Sequence, residues 1–294
     1  MELIRSTGIS ILMPHNINSQ LFGITDQFKK LCHPHVQLAV IINHFKILRY
    51  PYMYVIFIAA AELVTAYYMY WGGVFHFAIL VALFLHSVFI PDRALSNLLT
   101  AMTCAPLIRI LSLSTPLAFS SQISWFAIIS IPVFITGFTL AYVQGLSAKQ
   151  VFLTRPKMRY WPLEIGAMVL AFGIGLIEYH LLEPSPLADF NVTAMIAPAM
   201  ILIVNTGFLE EFVFRGLMQQ NAEQLAGFHG IVLISVLFGV LHITNLVFLD
   251  VIIAGSAGFL FALVVRKTGS IWGISMAHGI ANISLFLIAP YWFG

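Results

Sequence analysis

Apolar residues run along this chain in blocks of about 20, separated by short polar connections, and about 20 residues is the length a helix needs to cross a hydrocarbon core. The blocks fall at roughly 52–70, 74–91, 94–113, 122–145, 161–182, 192–214, 229–248, 250–265 and 270–290. The third is interrupted by Asn97, Pro106 and Arg109 and the eighth is short, so the pattern predicts eight or nine spans. The expected fold is an all-α, polytopic transmembrane helical bundle. Residues 1–50 form an N-terminal segment, 51–160 the first membrane helices, and 161–294 a membrane core in which polar residues concentrate.

Composition supports the same picture. Sixty per cent of the residues are hydrophobic and 9% charged, against roughly a quarter charged in a soluble domain. The net charge of +2 is too small, and the basic residues too scattered, for a nucleic-acid partner. The partner implied by composition is the lipid bilayer. Cys32 and Cys104 suggest neither a disulfide framework nor a thiolate metal site. The stretch Ile9–Met13 is too short for a signal-peptide core, and residues 1–50 are expected as a retained cytoplasmic segment. His33-Pro34-His35 has metal-ligand chemistry, but a surface or interfacial segment is the simpler reading.

Lys and Arg set the expected topology. Arg5, Lys29, Lys30, Lys46 and Arg49 precede the first span. With nine spans the inner connections then carry Arg93, the Lys149–Arg159 cluster, and Arg266-Lys267. The outer connections carry none, and 183–191 is acidic through Glu183 and Asp189. The reading is a multi-pass protein, of the cell membrane if the source is prokaryotic, with the N-terminus and the opening of any active site on the cytoplasmic side. No internal repeat links the two halves, which disfavours an inverted-repeat transporter. Ala254 with Gly258, and Gly269 with Gly273, have the spacing of close helix contacts.

Charged side chains are costly in hydrocarbon and usually face a protein interior or a cavity. The C-terminal third has several. Glu211 and Arg215 share a helical face and can pair, while Glu210 points about 100° away, a buried carboxylate without a local cation and so the better general-base candidate. Phe238 and His242 are four apart, as are His278 and Asn282, whose N–H groups are of the kind that stabilise an oxyanion.

These residues resemble the motifs of the CPBP (Abi) family of intramembrane proteases, which includes the type II CAAX prenyl endopeptidases. The matching elements are Glu210-Glu211 with Phe214, Arg215 and Gly216, then Phe238 with His242, then His278 with Asn282, over about residues 160–290. The resemblance implies that Glu210, assisted by His242, activates water for attack on a peptide carbonyl. It implies that His278 and Asn282 stabilise the oxyanion, with Glu211, Arg215 and Phe238 in support. Substrates would be prenylated CAAX-type or other membrane-embedded peptides. No cofactor is expected, since the CAAX members resemble a glutamate-dependent, metal-independent type and no His-Glu-x-x-His occurs. If zinc is present, Glu210, His242 and His278 are its expected ligands.

Two other classes compete. A transporter or proton-coupled carrier would use the same Glu and His as a relay but needs no oxyanion partner. A non-catalytic scaffold or immunity protein needs none of these groups. The ending Tyr291-Trp292-Phe293-Gly294 is not a prenylation signal, so the chain is not expected to be its own CAAX substrate.

Overall fold

The computed structural model describes residues 34–115 and 121–294, with side chains from Leu48 onward. Contacts divide the chain into Met1–Ile47 and a unit Leu48–Gly294. In the first, the backbone from Pro34 is helical; the His33–His35 side chains lie outside those described. Among the described residues the second is a bundle of nine helices, each long and apolar enough to cross a membrane: α1 Leu48–Tyr67, α2 Met69–Phe89, α3 Arg93–Ser114, α4 Gln122–Val143, α5 Met158–Leu182, α6 Val192–Ala226, α7 Phe228–Asn245, α8 Phe248–Thr268 and α9 Trp272–Phe293. Among the described residues there is no strand, only an isolated bridge between Leu153 and Ser270.

The weakest block is a span after all, and its polar residues explain its shape. Helix α3 is broken at Thr103, where Arg93–Met102 gives way to Cys104–Ser114. Pro106 lacks the N–H that would bond to Met102, and its ring crowds that carbonyl. Asp92 caps the first piece by accepting from Leu95 N at 2.8 Å.

Helix α6 runs well past the expected end at 214, to Ala226. It is α-helical over Val192–Ile201, then alternates with π-helical turns at Leu202–Phe208 and Phe212–Gln219, which leave Leu209–Glu211 as a short α-helical insert. Such wide turns recur at functional sites. All eight residues Phe212–Gln219 are buried, so this stretch is the core around which other spans pack. Helix α9 packs against α5 and α6, and α7 against α8. Glycines allow the approach of α6 to α9. A Cβ on Gly207 would lie 2.5 Å from Ser275 O, and one on Gly279 would lie 2.8 Å from Ile203 Cα.

Two expectations change. Regular helix in α7 ends at Val240 and a 3-10 turn follows at Ile243–Asn245, so His242 sits in a turn rather than on the face of a continuous helix. Gly269 is not a packing contact. Its φ of +71° and the open space around it make it the left-handed cap that ends α8. The connections sort by end: 90–92, 144–157, 227 and 269–271 fall at the end where α1 begins at Leu48, and 68, 183–191 and 246–247 at the other. His242, Glu178 and Asp250 lie close to the second end.

Candidate active site

Glu211 is fully buried. Its Oε1 faces His278 Nδ1 at 2.9 Å, and its Oε2 lies 3.1 Å from Arg215 Nε, an ion pair that is not aligned as a hydrogen bond. Arg215 donates from Nη2 to Gly258 O at 3.1 Å and stacks its guanidinium 4.6 Å from the Phe238 ring centre. Gly258 is thus more than a generic packing residue, because a Cβ there would press on Arg215 Nη2 and Phe238 at 3.2 Å. The expected Glu211–Arg215 pair forms, and it also braces the histidine of α9.

Glu210 has different surroundings. Its side chain is 34% exposed, so it is open to the cavity rather than buried as the sequence suggested. It lies 3.8 Å from His278 Nε2, beyond hydrogen-bond reach. His278 therefore stands between the two glutamates. With its Nδ1–H donated to Glu211, its Nε2 can donate only when the ring carries a second proton.

His242 is fixed by a residue that sequence reasoning missed. Its Nδ1 is 3.1 Å from Oδ2 of the buried Asp250, which also accepts from Asn245 Nδ2 at 2.7 Å. Donation from Nδ1 leaves Nε2 as the proton-accepting nitrogen. The Phe238 and His242 ring centres are 5.8 Å apart, so the aromatic contact survives the end of the helix.

Two cavities meet at this pair. The larger, of about 200 Å³, is lined by Glu210, His242, Arg109, Asn205 and Thr206 among apolar groups such as Trp125 and Phe126. The smaller, of about 50 Å³, is lined by Glu178, His242, His278 and Asn282. Phe238 and His242 line both. Asn282 is thus placed with His278, as its spacing suggested, but in the smaller cavity. It reaches the larger one through Thr206, to whose hydroxyl it donates at 2.8 Å.

The other missed residues lie outside the motifs. Glu178 is 8% exposed. Glu62 in α1 is held by Arg109, with Nε to Oε1 at 2.9 Å and Nη2 to Oε2 at 2.7 Å. Thr244 donates its hydroxyl to Glu62, and Arg109 donates to Leu241 O at 2.8 Å. The turn carrying His242 is therefore clamped from α1 and α3 as well as from α8. Intramembrane charge was the available signal for Glu62, Glu178 and Asp250.

Residues 192–284 match the family model described as Type II CAAX prenyl endopeptidase Rce1-like. Over that stretch the chain is similar to the Rce1-like family. The matched segment contains all of Glu210, Glu211, Arg215, Phe238, His242, His278 and Asn282, and it leaves α1–α5 outside. Comparison with curated proteins and with solved structures gave no match.

A zinc site would call on Glu210, His242 and His278. Carboxylates on the Nδ1 sides of both histidines resemble the outer partners of zinc ligands. Among the described residues, however, no three His, Cys, Asp or Glu side chains are drawn together as a metal site.

Proposed function

We propose that the chain is an intramembrane endopeptidase in which Glu210 activates water for attack on a membrane-associated peptide, either prenylated and CAAX-type or otherwise anchored. The observation that carries this reading is a half-open Glu210 carboxylate sharing the wall of one apolar-lined cavity with His242. A transporter relay would need titratable groups but not a pre-set Asp250–His242 pair beside an open carboxylate.

In this mechanism the scissile carbonyl enters the larger cavity. Glu210, assisted by His242 Nε2, takes a proton from water as the new C–O bond forms. His278, in its doubly protonated form, and Asn282 donate to the oxyanion. Collapse then breaks the C–N bond, and the proton on Glu210 passes to the leaving amine. Asn282 lines only the smaller cavity, so its reach to the oxyanion calls for a movement at Phe238, which lines both. Arg109 uses Nε and Nη2 on Glu62 and Leu241, and its Nη1 has no hydrogen bond among the described residues. That nitrogen suits a substrate carboxylate.

The test is mass spectrometry of membrane peptides incubated with purified protein. The reading predicts cleavage by the wild type and its loss in Glu210→Ala and His242→Ala. Cleavage that survives in both variants contradicts it. Activity is also expected to persist in a strong chelator; loss that zinc restores would instead favour the metalloprotease form.

A further inference from the structure

We infer that the smaller cavity is a water-holding site organised by Glu178, and that it supplies the water Glu210 activates once a peptide fills the larger cavity. The site itself stands on geometry; its use in hydrolysis rests on the peptidase reading.

The cavity lies where α5, α8 and α9 meet. Ala171, Ile174 and Glu178 line it from α5 at intervals of three and four residues, so they share one helical face. Ala254 and Ala257 line it from α8, and Ala281 from α9. Short side chains on each helix leave a gap that larger ones would fill. The approach of α5 to α9 is close about one turn before Glu178, where a Cβ on Gly175 would meet Ala281 O and Ser284 Oγ. Asn282 follows Ala281 in the chain, and it shares the walls of this space with Glu178.

Gaps in a protein interior stay empty only where their walls are apolar. These walls are not. Glu178 is buried and has no ion pair or hydrogen bond among the described residues, and a carboxyl group so placed is costly unless something hydrogen-bonds to it. Asn282 donates from Nδ2 to the Thr206 hydroxyl, which leaves its Oδ1 to accept. His242 and His278 turn Nδ1 to Asp250 and Glu211, so Nε2 of each ring is left for another partner. A buried water takes about two to four polar partners and has a share of liquid volume of about 30 Å³. This cavity, of about 50 Å³, offers both the partners and the room.

Hydrolysis consumes one water for each peptide bond. The larger cavity is lined largely by apolar groups, Trp125, Phe126 and Leu209 among them, and a peptide seated there displaces solvent from beside Glu210. His242 and Phe238 line both cavities, so a water leaving Glu178 reaches Glu210 along these two side chains. Its oxygen forms the new C–O bond and its proton goes to Glu210. Glu178 is thus a positioning residue, which holds the water without touching the scissile bond.

The test joins a map to kinetics. In a map of the detergent-solubilised protein that resolves waters, density within hydrogen-bond distance of the Glu178 carboxylate is expected in the wild type and is lost in Glu178→Leu. Glu178→Leu should lower kcat by about 10²-fold, the effect of a reactant no longer held in place, with KM unchanged and folded yield intact. Glu178→Gln keeps a side chain that donates and accepts, so it should retain the water and recover most of the kcat that Glu178→Leu loses. A wild-type cavity without water density overturns the inference, as does full activity in Glu178→Leu. Equal loss of kcat in both variants also overturns it, because the carboxylate would then act through its charge rather than by holding water. Water density with no cleavage by the wild type upholds the site and counts against the peptidase reading.

Discussion

Glu210 and Glu211 are adjacent, yet one is open to a cavity and the other is enclosed between Arg215 and His278. Glu211→Gln should therefore remove the charge that compensates a buried guanidinium. Loss of one partner of a buried pair costs about 3–5 kcal/mol, and folded yield in detergent should fall. Glu210→Gln should leave yield nearly normal while cleavage is lost; equal loss of folded protein in both would contradict this division. Asn282→Ala should cost on the order of 10²–10³ in rate, the loss of one oxyanion donor, with KM little changed. Glu178 offers a sharper case. It is buried without an ion pair or hydrogen bond among the described residues, beside a cavity large enough for water. Replacing an uncompensated buried carboxylate by an apolar group relieves its desolvation, so Glu178→Leu should melt no lower than the wild type. A fall in kcat in that variant would assign the carboxylate to the chemistry, whereas a lower melting temperature would assign it to the fold.

At the scale of elements, the motif spacings made the pairs legible but not the clamps around them. Glu211 with Arg215, four apart on one helix, could be read from sequence because helical neighbours are fixed by periodicity. The contact of Glu211 with His278 and that of His242 with Asp250 join different elements, and nothing local encodes them. The end of regular helix at Val240 was hidden for a similar reason, since an apolar run does not register where hydrogen bonding changes. The glycine contact between α6 and α9 is the element-level feature on which the site depends. Gly279→Val should force α9 from Ile203 and move His278 away from Glu211. Cleavage should be lost in protein that still purifies as a folded monodisperse species, and retention of full activity would show that the close approach is dispensable.

For the whole molecule, hydropathy alone limited the spans to eight or nine, because crossing a bilayer demands about 20 apolar residues regardless of tertiary packing, and the described residues form nine such helices. The arrangement of those spans was not legible. Nine spans place Leu48 and the last residues of α9 at opposite ends, so tags before α1 and after Gly294 should be protected from protease on opposite faces; protection on the same face would contradict the span count. The central claim is that Glu210 drives peptide hydrolysis within this bundle. Its most direct test is the single-turnover rate of cleavage of a membrane-anchored fluorogenic peptide by purified wild type and Glu210→Ala, compared at matched folded concentration. Removal of a general base predicts a fall of about 10²–10⁴-fold, and an unchanged rate in Glu210→Ala would contradict the account.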